Sequence, residues 1–170
     1  MAAPTVRVMG VDPGLASVGW GVVDLDGARL VCRGYGCIET KADTPVADRL
    51  AAIRDGLLEL AGRYGPAEAA MEGLFFSRNV TSALGVAEAR GVIRLAFRDS
   101  SIPLSEYLPM AVKQAAAGSG TAGKADVQNF VRMVLGLEKV PRPDHAADAL
   151  AVAICHCQNR SFAALAASRR

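Results

Sequence analysis

Three carboxylates and one imidazole stand in this chain where side chains that only pack would not. Asp12 closes the apolar run Val6, Val8, Met9, Gly10, Val11 and is followed at once by Pro13 and Gly14. Another Val would pack better there, and Asn or Ser would turn better. A carboxylate held at the end of a rigid strand is instead placed for metal binding or catalysis. The pattern repeats at Glu72, which ends the short apolar run 67–72 before Gly73. His145 and Asp148 are three residues apart, so they share a face of a helix that is almost wholly apolar from Ala146 to Ile154. An imidazole and a carboxylate on a buried face are costly unless something binds them. Asp144 at the helix start is accounted for by the helix dipole, worth ~0.5 kcal/mol; Asp148, deeper in, is not. His145 taken alone also fits a core or capping histidine.

Together these groups point to one chemistry. Clustered carboxylates repel one another unless divalent cations neutralise them, and a pair of ions so bound activates water and stabilises the leaving oxygen of a phosphodiester. Cys155, His156 and Cys157 do not make a second ligand set, because consecutive helical side chains point ~100° apart. With Cys32 and Cys37 they lack the paired spacing that closes on zinc, so the cysteines are expected to be reduced and mostly buried.

The elements that must position these groups follow from periodicity. Residues 5–12 and 17–24 read as strands, Asp26 and Gly27 give a hairpin signal, and a third strand follows from Ala28 to about Thr40. Val46, Leu50, Ile53, Leu57 and Leu60 recur at helical spacing, with Asp48, Arg49, Arg54 and Glu59 turned outward. After strand 67–72 come a long helix over about 79–97, a short strand near 102–107, helices over 109–117 and 124–135, and a last helix from about Pro143. Gly118 to Gly123 form a loop. This order predicts an α/β fold: a five-stranded mixed sheet, three antiparallel strands then parallel ones, flanked by helices.

The 170 residues fit one domain, expected over 1–158, with a basic, flexible tail over 159–170. No apolar run approaches the ~20 residues that span a bilayer, and the start lacks the pattern of a secretory leader, so a soluble, cytoplasmic chain is expected. Net charge is only +2, but residues 1–70 carry 7 basic against 9 acidic groups, while residues 71–143 carry 9 against 6. The basic middle suits a phosphate-rich partner better than a membrane or an acidic metabolite; a solvated mixed-charge surface would also account for it.

At this point the chain resembles the RuvC-type Holliday-junction resolvases, nucleases of the RNase H-like superfamily. The resemblance covers nearly the whole chain and rests on GVDPGLASVGWGVVD (10–24), MEGLFFSRNVTSALGVAEARGV (71–92), PMAVKQAAAGSGTAGKADVQNFVRMVLGL (109–137) and PRPDHAADALAVAICH (141–156), in that order and spacing. It implies a catalytic set of Asp12, Glu72, His145 and Asp148 holding two Mg²⁺ or Mn²⁺ ions. Many members have Asp where this chain has His145, and imidazole suits Mn²⁺ better than oxygen-preferring Mg²⁺. It also marks Phe75, Phe76 and Arg78 as a loop entering the junction, with Phe75 the stacking residue, and Lys113 and Lys124 as lysines near the scissile phosphate, Lys113 offsetting transition-state charge. Arg78, Arg90, Arg94, Arg98 and Arg132 are candidates to extend the backbone-contacting surface, several of them being ordinary helix-surface charges instead. The implied activity is symmetric hydrolysis of two strands of like polarity in a four-way DNA junction, by a homodimer working with a branch-migration motor of RuvA and RuvB type. Ala83, Ala87 and Gly91, one turn apart, offer a close-packing helix face for such a two-fold dimer.

Two other classes fit parts of the pattern. An actin-like ATPase also has an Asp-x-Gly turn before a Gly-bearing hairpin, as in Asp12, Gly14, Gly19 and Gly21, but needs a second lobe for which 170 residues leave no room. An RNase H-like nuclease or binding module for another branched nucleic acid would share the fold. Retention of all the ligand positions argues against a binder without activity.

Overall fold

In the central strands, alternation decides which side chains meet which helices, and so where the carboxylates point. The computed structural model describes residues 4–73 and 80–168. Its elements are β1 Val6–Asp12, β2 Ser17–Asp26, β3 Arg29–Glu39, α1 Val46–Tyr64, β4 Glu68–Glu72, α2 Val80–Asp99, β5 Leu104–Tyr107, α3 Pro109–Ala117, α4 Lys124–Val134 and α5 Asp144–Ser168. The five strands lie in the order β3-β2-β1-β4-β5. β1 to β3 form an antiparallel meander, turned at Gly27 (φ +61°), and β4 and β5 continue it in parallel. Parallel neighbours need crossovers, which α1 and α2 supply. The mixed sheet expected from the sequence is thus the one observed.

Met9 and Val11 of β1, Val18 and Val22 of β2, and Ala69 and Met71 of β4 face α1 and α2, packing on Ile53, Leu57, Ile93 and Phe97. Val8, Val23 and Ala70 face the other way, into a layer of α3, α4 and α5. With a side-chain period of two, Asp12 and Glu72 belong to this second face. α5 is the helix that covers it. Ala146, Ala147 and the run from Ala149 to Cys157 are all buried, and fully burying Leu150 and Ile154 contributes roughly 1.5–3 kcal/mol each.

The close approach of α5 depends on glycine. A Cβ on Gly10 would lie 2.0 Å from the carbonyl oxygen of Ala149, one on Gly19 1.9 Å from that of His145, and one on Gly21 2.6 Å from Leu150. These glycines form the floor on which the helix lies. At the opposite end of the meander, Asp24 is buried between two guanidinium groups, Arg7 Nε at 2.7 Å and Arg33 Nε at 2.6 Å. The hydrogen bond from Arg7, then that from Arg33, holds its carboxyl below the ordinary range against the opposing effect of burial. α5 runs on to Ser168, past the domain end expected at 158. Among the described residues no helix is long and apolar enough to cross a membrane.

Candidate metal centre

β1 and β4 are parallel neighbours with Val11 opposite Met71. Asp12 and Glu72 therefore come next, side by side on the α5 face, at the carboxyl ends of adjacent strands. α5 starts above them. Because Gly19 lets the His145 backbone rest on β2, the first turn of α5 delivers His145 Nδ1 to within 2.6 Å of Asp12 Oδ2. Ligand atoms of Asp12, His145 and Asp148 all lie within 4.8 Å of one another. His145 is half exposed rather than on a buried face, since its turn projects at the strand ends; burial of the helix begins at Ala146.

The electrostatics of the cluster are those of a site built for cations. Burial first, then the charges of Asp12 and Asp148, pushes the Glu72 carboxyl up to about 7, and Lys113 and Arg90 only partly oppose this. Asp148 is also raised, by burial and then by Asp12. His145 is raised chiefly by its hydrogen bond to Asp12. Glu72 and Asp148 are thus driven toward their protonated forms by burial and by neighbouring carboxylate charge, a cost that divalent cations bound among them would relieve. Beside them a cleft of about 250 Å³ is lined by Glu72, Lys113, Lys124 and Asp148, with Val112, Val127, Ala151 and Val152 as its apolar wall. Lys124 Nζ stands 3.1 Å from Asp144 Oδ2 and 3.6 Å from Asp148 Oδ2.

The structure thus brings together Asp12, Glu72, His145, Asp148, Lys113 and Lys124. Phe75, Phe76 and Arg78 lie outside the described residues. Asp144 does more than face the helix dipole: it accepts hydrogen bonds from Gln128 and Arg142 and pairs with Lys124. Arg90 is not a surface contact. It is 4% exposed and donates to the backbone carbonyl of Glu72. The helical period puts Arg90 in line with Ile93 and Phe97, but a long charged side chain in such a stripe can also reach solvent, so the period alone does not decide its burial. His156 binds Tyr107 and Glu68, at 2.8 and 2.7 Å, instead of joining the cysteines beside it. Cys155 and Cys157 are buried and free, while Cys32 and Cys37 are only partly buried.

An antiparallel meander continued by parallel strands, with carboxylates at adjacent strand ends and a closing helix that adds ligands, defines a metal-dependent nuclease of RNase H-like fold. The family model for crossover junction endodeoxyribonuclease RuvC matches residues 8–156. The chain belongs to the RuvC family. It is 51% identical over 151 residues to the RuvC of Chloroflexus aggregans, covering 89% of this chain and 92% of that one. The RuvC of Brevibacillus brevis is 47% identical over 157 residues, covering 92% and 95%. The solved structure of T. thermophilus RuvC in complex with Holliday junction substrate superposes with a TM-score of 0.89 at 37% identity, covering 93% of this chain and 96% of that one.

Proposed function

We propose that this endonuclease resolves four-way DNA junctions by nicking two strands of like polarity at symmetric positions, through a two-ion site made by Asp12, Glu72, His145 and Asp148. The observation that carries the reading is the convergence of Asp12, His145 and Asp148 within 4.8 Å, beside a cleft shared by Glu72, Lys113 and Lys124. Asp12, Glu72, His145 and Asp148 would hold the divalent ions, which when bound would activate water and neutralise charge on the leaving oxygen. Mn²⁺ serves better than Mg²⁺, because His145 offers nitrogen where a carboxylate would offer oxygen.

The chain's own groups do the rest. Asp12 orients the His145 ring through Nδ1, leaving Nε2 as its second donor atom. Lys113 and Lys124 draw the scissile phosphate into the cleft and offset its growing charge. The apolar wall of Val112, Val127, Ala151 and Val152 lowers the local dielectric and strengthens both effects. Phe75, Phe76 and Arg78 meet unstacked bases and backbone at the junction centre. In the cytoplasm the protein acts as a homodimer, serving a branch-migration motor of RuvA and RuvB type. The dimer is supported by α2, where Leu84 and Leu95 are 63% and 61% exposed on the face that carries Ala87 and Gly91. The opposite side of that helix is used internally, with Ala89 buried and Gly85 against Leu15.

The test is a labelled four-way junction incubated with Mn²⁺ and either wild type or Asp12→Asn. Paired symmetric nicks by wild type, and binding without nicking by Asp12→Asn, are expected. Binding without nicking by wild type would sink the nuclease reading. Equal cutting of plain duplex would sink junction selectivity.

A further inference from the structure

Pairing of β1 with β4 ends at Val11 opposite Met71, so Glu72 lies one residue past the last β1 contact. Its backbone carbonyl instead accepts a hydrogen bond from Arg90 Nη1 of α2. The same guanidinium donates through Nη2 to Glu106 Oε2 at 2.6 Å, and Glu106 Oε1 takes Arg94 Nε at 2.8 Å. Glu106 stands opposite Met71 in the β4–β5 register. On that same side, Gly73 N–H donates to the Tyr107 carbonyl at 2.6 Å. The end of β4 is therefore tied to β5 by backbone and to α2 by one side chain. Burying a guanidinium is costly unless its forked donors are used, and here the fork is divided between the Glu72 carbonyl and the Glu106 carboxylate.

We propose that Arg90 is a positioning residue for Glu72: its buried guanidinium replaces the missing β1 contact and fixes the end of β4, so that the Glu72 carboxylate faces Asp12 and Asp148. The inference rests on Glu72 being a metal ligand. Enclosed as it is, Arg90 acts through Glu72. Lysine cannot take its place fully, because one ammonium does not span the Glu72 carbonyl and the Glu106 carboxylate in a planar fork.

The experiment measures Mn²⁺ binding by calorimetry on the DNA-free protein, with junction binding and single-turnover nicking alongside, for Arg90→Gln, Arg90→Lys, Glu72→Gln and the double variant Arg90→Gln/Glu72→Gln. Outer partners of metal ligands are worth roughly 10–100-fold in metal affinity, so Arg90→Gln is expected to weaken Mn²⁺ by that factor. Nicking at limiting metal falls with it, and junction affinity stays within about twofold. Arg90→Lys, which keeps the charge and guards against loss of folding, weakens Mn²⁺ by about tenfold. In the Glu72→Gln background the Arg90 replacement adds less than about twofold, since the carboxylate it aims is gone. A purely structural role would instead give an equal loss in both backgrounds, and that result overturns the proposal. So does unchanged Mn²⁺ affinity in Arg90→Lys. Unchanged affinity in Glu72→Gln itself overturns the ligand reading, and this proposal with it. A weakened Glu72→Gln beside an unaffected Arg90→Gln overturns the proposal alone.

Discussion

Gly19→Ala is the substitution that most directly tests how the metal centre is assembled. The new methyl group would start 1.9 Å from the His145 carbonyl oxygen and 2.9 Å from the His145 Cβ, whereas real Cβ contacts stay beyond 3.0 Å. The first turn of α5 must therefore retreat by about 1.1 Å, since neither partner is the flexible end of a side chain. His145 and Asp148 move with it, away from Asp12 on the opposing strand. A misplacement of about 1 Å costs on the order of 10²-fold in rate, and overpacking costs about 1–3 kcal/mol, or roughly 3–9 °C in Tm for a domain of this size. Single-turnover nicking of a four-way junction at saturating Mn²⁺ and thermal unfolding by circular dichroism read the two effects. Both should appear together. A variant with wild-type nicking and a Tm within about 1 °C would refute the claim that the glycine floor sets the position of the ligands.

His145→Asp exchanges nitrogen for oxygen at one ligand and should shift the ratio of Mn²⁺- to Mg²⁺-supported rates by about tenfold toward Mg²⁺, measured with each metal at saturation. Lys113→Met should lower nicking about 10²-fold with Tm unchanged, because Lys113 is exposed; a matching fall in Tm would assign the lysine to the fold. Asp24→Asn should destabilise the domain by about 2 kcal/mol in urea melts at neutral pH, the scale of a charged hydrogen bond, reduced here because Arg7 and Arg33 keep access to water. Asp24 has a folded pKa below its unfolded one, so its contribution is present above the ordinary Asp value of ~3.9 and is lost as pH falls through the folded value. The gap between wild type and Asp24→Asn should be constant from about pH 5 to 7 and close in acid; a gap that widens in acid would contradict the sign.

The mixed sheet, and the placing of Asp12 and Glu72 at strand ends, were legible in the chain because each depends on local pattern. Period-two alternation aims Asp12 and Glu72 at the same face, and the apolar stretch after His145 marks a helix that must be covered. The contacts of Arg90 and Asp144 were not legible, for a different reason. Both are charged groups on helices, and local sequence gives an ordinary surface charge and an enclosed one the same appearance. Only the crossing of α2 over the β4–β5 pair settles that Arg90 is inside, and only the approach of α4 brings Lys124 and Gln128 to Asp144. The exposure of His145 likewise depends on where the sheet ends beneath α5.

Asp12 and His145 are 133 residues apart in the chain, and their side chains meet only because α5 lies across β1 and β2. Much of the buried layer on that face of the sheet belongs to α5 itself, so the docking that completes the core also completes the candidate site. Closing the core and gathering Asp12, His145 and Asp148 are therefore one event, and a chain with α5 undocked has neither.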